Sequence, residues 1–177
     1  MSKKFYAGIG SRKTPTYVRR DLTEIARILE GRGYTLRSGN ATGADQAFAM
    51  GAKNAQIWLP WAGFENDFKV CYPNHDYRLV DISTDMEAVE SVHKFHKSPC
   101  KLTQSGVFFM QRNYRQVVGL NEPDSLFIVC WTPEGKETGG TGQALRIAKS
   151  LYIPVFNLYT LTVKQLFSEI DKLEMLS

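Results

Sequence analysis

An α/β three-layer sandwich, with a mainly parallel sheet of about five strands and helices on both faces, is the fold class this sequence predicts. Three observations predict it. Short apolar runs alternate with segments of helical periodicity in the order strand–helix–strand–helix–strand. One run, Ser125 to Trp131, is apolar almost without a break, as in a strand covered on both sides. Glycine- and hydroxyl-rich turns follow three of the strands, where such a sheet gathers helix N-termini.

Phe5 to Ile9 is a short buried strand, stopped by Gly10 and Ser11. Thr14 is a capping residue and Pro15 takes the first helical position, where its missing N–H costs nothing. Val18, Leu22, Ile25, Ala26 and Leu29 then share one helical face, and Gly31 and Gly33 end the helix. Tyr34 to Arg37 is a second strand, Ser38 to Gly43 a turn, Asp45 to Lys53 a small-residue helix, and Gln56 to Leu59 a third strand closed by Pro60. Residues 60–124 read as a helical insertion, with helices at about Thr84 to His96 and Gln104 to Val118. Insertions of this kind often line a site. After Ser125 to Trp131 come a glycine-rich turn, a helix from Gly142 to Leu151 and the strand Ile153 to Phe156. A last amphipathic helix presents Val163, Leu166, Phe167, Ile170 and Leu173 to the core.

The chain has 177 residues, 43% of them hydrophobic, which suits a single domain over residues 1–177. Lys and Arg total 22 against 18 Asp and Glu, so a net charge of +4 excludes a histone-like tail. No apolar run reaches the roughly 18–20 residues of a membrane span, and the N-terminus has no secretory leader pattern. Cys71, Cys100 and Cys130 are scattered, which fits a reducing cytoplasm and gives no metal motif. No cofactor is implied.

Three strand-to-helix turns share a composition: Gly8-Ile9-Gly10-Ser11-Arg12 with Lys13 beside it, Ser38-Gly39-Asn40-Ala41-Thr42-Gly43-Ala44-Asp45, and Thr138-Gly139-Gly140-Thr141-Gly142. Glycine lets a ligand approach the main chain, hydroxyls and Asn add small donors, and Arg12 supplies a planar fork for phosphate oxygens. Each turn also has a plainer reading: Thr42 and Asp45 fit a capping box, and Thr141 could be only a helix cap. None matches the P-loop pattern, and Lys13 stands where the dinucleotide fingerprint needs its third glycine. Met110-Gln111-Arg112-Asn113-Tyr114-Arg115, inside the insertion, could hold phosphate and stack a base, or could form a solvated basic helix face. Val117 and Val118 read as core.

Taken in order, the Gly8–Arg12 turn, the Ser38–Asp45 turn, Arg112-Asn113 and Gly139-Gly140-Thr141 resemble the SLOG superfamily, most closely its DprA-like branch as a stand-alone domain. The resemblance runs from about Tyr6 to Leu158. It implies a Rossmann-like fold with a phosphate pocket at the strand ends, formed by Gly8, Gly10, Ser11, Arg12, Ser38, Gly39, Asn40, Thr42, Gly43, Asp45, Arg112, Asn113, Gly139, Gly140 and Thr141. It also implies a nucleotide or single-stranded DNA as partner, and a dimer. Full-length members carry flanking domains for which this chain has no room, and similar stand-alone domains are common in phage and plasmid genomes.

Three functions follow. The first is binding of a nucleotide phosphate, in single-stranded DNA or a free nucleotide, helped by six basic residues (Lys3, Lys4, Arg12, Lys13, Arg19, Arg20) before the first acid, Asp21. The second is nucleotide N-glycosidic hydrolysis of the LOG phosphoribohydrolase type, with Asp45 as its catalytic carboxylate. Glu134, Glu137, His75, His93 and His96 stand in reserve, although Arg146 replaces the glutamate the LOG motif requires. The third is sensing or sequestering a nucleotide-derived signal, with Trp58, Trp61 or Phe64 stacking a base.

Overall fold

A computed structural model of the chain describes residues 3–176. Its strands, β1 (Lys4–Gly10), β2 (Tyr34–Ser38), β3 (Ala55–Leu59), β4 (Asp76–Leu79), β5 (Ser125–Trp131) and β6 (Val155–Asn157), form one parallel sheet in the spatial order β4-β3-β2-β1-β5-β6. The chain steps outward from β1 to β4, then returns to lay β5 on the free side of β1. Strand order therefore reverses between β1 and β5. Connections leaving those two strands go to opposite faces, which opens a crevice above their C-terminal ends.

Helices α1 (Thr16–Gly31), α2 (Ala44–Gly51) and α7 (Val163–Met175) cover one face, and the short α3 (Asn66–Cys71) leans on it through Phe68. Helices α4 (Met86–Phe95), α5 (Gln104–Val117) and α6 (Gly139–Ser150) cover the other. The two-residue period of β1 sets this division. Tyr6 points to the α1–α2 face, whereas Ala7 and Ile9 join Val117, Leu145 and Ile147 on the other. At Gly8 and Gly10 a Cβ would lie 2.7 Å from Phe48 and 2.7 Å from Ala44, so α2 packs directly on the β1 backbone.

The apolar stripe Val18, Leu22, Ile25, Ala26 and Leu29 is buried as its spacing predicts. Helix α1 starts at Thr16 with Pro15 in the capping position, and the Thr14 hydroxyl donates to Ser11 O at 2.6 Å instead of capping. Helix α6 starts at Gly139, three residues earlier than its apolar pattern suggests, and the Thr162–Gln165 pair forms a full capping box on α7. The insertion contributes a sixth strand, β4, as well as helices. Its Asp76-Tyr77-Arg78-Leu79 sequence has no apolar run because it lies on the sheet edge, paired only to β3.

Helix α5 is fastened by charge as well as by the apolar packing of Val117 and Phe109. Arg115 Nε donates to Asp85 Oδ2 at 2.7 Å, with both side chains 2% exposed, and Arg115 Nη2 reaches Asp85 Oδ1 and Glu87. This ties α5 to the start of α4. Below it, Arg37 on β2 is fully buried, lies 3.8 Å over the Phe5 ring, and donates to Gln56 Oε1 at 2.9 Å and Pro123 O at 2.7 Å. Glu122, in the loop from α5 to β5, accepts from Gln56 at 2.7 Å and Arg78 at 2.9 Å.

Candidate functional site

A cavity of about 370 Å³ lies at the crevice between β1 and β5, roofed by α5. Gly10 and Arg12 line it from the first turn, Ala41 and Asp45 from the second, and Gly140 and Thr141 from the third. Helix α5 contributes Gly106, Phe109, Met110, Arg112, Asn113 and Gln116, and Ile9 and Ala144 complete the wall. The three turns thus meet at one rim.

The second turn is aimed at its own side chain. Asp45 Oδ2 accepts from the Ala41 amide at 3.4 Å and from Arg112 Nη1 at 3.3 Å, and both side chains are buried. Burial pushes the Asp45 carboxyl above its ordinary value, against the pull of Arg112 and the Ala41 and Gly10 amides. Burial likewise pushes Arg112 below its own value. This contact depends on Gly39, where a Cβ would lie 1.3 Å from Arg112 Nη1. Only a residue without a side chain leaves room for the guanidinium. Gly43 is needed for another reason: its φ of 98° is a left-handed conformation, and a Cβ there would strike Ser11 O at 2.6 Å.

The other predicted residues of that turn serve the fold. Ser38 is buried and donates to Gly8 O at 2.6 Å. Asn40, in left-handed conformation, donates to Phe64 O at 3.0 Å, and Thr42 donates to Glu65 at 3.1 Å. Of the predicted pocket residues, Gly8, Ser11, Ser38, Gly39, Asn40, Thr42, Gly43 and Gly139 do not line the cavity. The capping-box reading of Thr42 and Asp45 is corrected: Gly43 is the α2 cap residue, and no side chain caps it. Ser11 O holds the first and second turns together, accepting from the amides of Thr14 at 3.2 Å and Ala44 at 3.3 Å.

The third turn remains open. The first helical hydrogen bond of α6 runs from the Gly142 amide to Thr138 O, so the Gly139, Gly140 and Thr141 amides precede it and have no partner within the helix. Asn113 Nδ2 donates to Gly140 O at 3.0 Å and locks α5 to this turn. Thr141 is not a cap; Thr138 takes that position without a side-chain bond. Arg12 stands exposed at the mouth, 5.8 Å from the ring centres of both Phe64 and Phe109. Trp61, Phe64 and Phe109 meet edge to face at 5.2–5.4 Å. Arg112 Nε and Gln116 Nε2 are buried without a protein hydrogen-bond partner among the described residues.

Arg112 and Arg115 do not work as a pair, nor do they form a solvated face: both are buried, one turned to Asp45 and the other to Asp85. Arg146 donates to Phe95 O at 2.8 Å and stays outside the cavity. Trp58 is core, at 1% exposure. His75 is buried against Ala52 O, whereas His93, His96, Glu134 and Glu137 lie away from the cavity. Met110, at the start of the basic segment, lines the cavity, and so do Phe109 and Gln116, which lie outside that segment. Phe109, Arg112, Asn113 and Gln116 fall at i, i+3, i+4 and i+7, so helical spacing counted from Arg112 points to them. Among the described residues no group of His, Cys, Asp and Glu could hold a metal ion, and no helix is long and apolar enough to cross a membrane.

A parallel sheet whose strand-end turns converge on a cavity at the point of order reversal defines a Rossmann-like domain. Its family is equally definite. The chain belongs to the family described as DNA recombination-mediator protein A, whose profile matches residues 1–169. DNA processing protein A from Helicobacter pylori, solved for its unique single-stranded DNA binding mode, shares the fold at 18% identity and a TM-score of 0.58 over 88% of this chain. DNA processing protein A from Streptococcus pneumoniae aligns at 13% identity and a TM-score of 0.49, also over 88% of this chain. The chain spans 65% and 50% of the length of those two proteins. No curated protein matches it.

Proposed function

We propose that the cavity binds single-stranded DNA, holding a phosphate between Arg12 and the open amides of Gly140 and Thr141. The observation that carries this reading is the composition of the rim: an exposed arginine, without an ion pair among the described residues, faces the open first amides of a helix across a cavity. Such amides and a planar guanidinium suit phosphate oxygens. Family membership and the single-stranded DNA described for the Helicobacter pylori protein support it. Binding, rather than N-glycosidic hydrolysis, is the reading favoured by Asp45. Among the described residues it is the one carboxylate lining the cavity, and its Oδ2 is already engaged by Arg112 and Ala41.

Fluorescence anisotropy with labelled dT20, titrated over a salt series and competed with dTMP, tests the proposal. Saturable binding whose log affinity falls linearly with log salt is expected. Absence of binding, or a flat salt response, overturns it. The proposal extends to a cytoplasmic dimer, for which light scattering should give twice the mass of one chain.

A further inference from the structure

Ten arginines are present, and eight of them donate a hydrogen bond to the protein. Among the described residues the side chains of Arg12 and Arg20 have neither a hydrogen bond nor an ion pair. Arg12 lines the cavity. Arg20 is exposed on the first turns of α1, directly after the segment that carries Arg12. Between them Lys13 is exposed and without an ion pair, and the Tyr17 ring is 69% exposed with no ring contact among the described residues.

Tyr17 and Arg20 stand three apart in α1 and share one side of it. Some exposed cations elsewhere on the protein are paired, Arg27 with Glu24, Arg32 with Asp171, Lys136 with Glu134 and Lys172 with Glu169, whereas Lys13 and Arg20 have no ion pair among the described residues. The first acid in the sequence, Asp21, comes only after Arg20. An aromatic ring between unpaired cations, in the segment that runs on from the cavity residue Arg12, has the composition of a single-strand track. Cations follow the phosphates and a ring accepts a base face whatever the base.

We propose that Lys13, Tyr17 and Arg20 extend the cavity into a track over the start of α1, which carries the single strand beyond the nucleotide held in the cavity. The proposal rests on the cavity reading and makes the partner a polynucleotide. Duplex DNA is a poorer occupant, because its bases are stacked on one another and cannot lie on the Tyr17 ring.

The test compares labelled dT3, which reaches little beyond the cavity, with labelled dT20, on the wild-type chain and the Lys13→Ala/Tyr17→Ala/Arg20→Ala variant. The variant should melt with the wild type, since all three side chains are exposed. It should keep its dT3 affinity and lose about tenfold or more for dT20, a loss in the range of one base–aromatic stack. Its salt slope should be shallower by about 1.4, at roughly 0.7 for each of two phosphate contacts. Tyr17→Phe should retain the dT20 affinity, and Tyr17→Ala should not. Equal dT20 affinity and slope in the triple variant and wild type overturns the track while leaving the cavity reading standing. Binding of dT20 but not dT3 by the wild type, lost in the variant, places the strand on the α1 surface alone and overturns both the cavity reading and a track that extends it. Wild-type binding to neither oligonucleotide overturns both.

Discussion

The two faces of the sheet are built from different chemistry. Against α1, α2 and α7 the buried side chains include Val18, Leu22, Ile25, Phe48, Leu166 and Ile170, and the packing is apolar. Against α4, α5 and α6 the sheet also buries Arg37, Arg112 and Arg115, each at 5% exposure or less. Each has a carboxylate nearby: Glu122, Asp45 and Asp85 respectively. Stability alone does not call for this, because apolar side chains of similar volume stabilise a core as well or better. Position explains it. Arg112 fixes α5 over the cavity, Arg115 holds it to α4, and Arg37 holds the loop that leads from it into β5. The apolar face sustains the fold, and the charged face places the helix that completes the site.

The largest expected effect tests that division. Arg115→Ala leaves Asp85 buried and uncompensated, and should cost about 3–5 kcal/mol in urea unfolding. Leu22→Ala on the apolar face should cost a similar ~2–5 kcal/mol through its cavity. The two should part when the charge is removed from both partners. Arg115→Met with Asp85→Asn, which keeps an oxygen to cap the Ala88 amide, should recover much of the stability. It should not recover dT20 affinity, because the Arg115 bonds that fix α5 to α4 are gone. Full recovery of both would reduce the charged face to an alternative way of filling a core.

A smaller effect sharpens the role of Arg112. Gly39→Ala forces the guanidinium away from the position it shares with the new Cβ, and should cost about 1–3 kcal/mol as overpacking. Affinity for dT20 should fall with it. Gly31→Ala meets nothing within 4 Å and should stabilise by about 0.4–1 kcal/mol with unchanged affinity. At Glu122 burial raises the carboxyl, but the bonds from Gln56 and Arg78 and the charges of Arg78 and Arg37 outweigh it and leave it below its ordinary value. Its contribution is therefore fully present above the unfolded value of about 4.3 and is lost as pH falls through the lower folded value. In acid unfolding Glu122→Gln should lose less stability than the wild type over that window.

The same contrast explains what was legible in the sequence. The strand runs at Phe5 and Ser125 and the stripe of α1 can be read because apolar burial leaves a periodic trace. Strand β4 left none, since an edge strand with Asp76 and Arg78 need not be apolar. Arg12, Arg112, Asn113 and Gly140 stood out by motif, but their partners are set by the third dimension. Nothing in the spacing says that the Ser38 hydroxyl would be spent on Gly8 O, or that the amide turn before α2 would receive Asp45. Phe109 and Gln116 were hidden because a helix that roofs a cavity has the same period as one that packs on a core.

Arg12 gives the smallest effect on stability and the most direct one on the site. Unlike Arg37, Arg112 and Arg115 it is exposed and has no carboxylate partner among the described residues, so Arg12→Ala should shift unfolding by no more than about 0.5 kcal/mol. Its weak contacts over Phe64 and Phe109 do not alter that expectation, because the two rings also pack on each other and on Trp61. Affinity for dT3 and dT20 should fall together, and the salt slope should flatten by about 0.7, the share of one single-strand phosphate contact. Arg12→Lys keeps the charge but not the planar fork, so it should restore the slope and only part of the affinity. If Arg12→Ala destabilises the protein as Arg115→Ala does, the division between placing arginines and a ligand arginine fails at the residue where it is drawn most sharply.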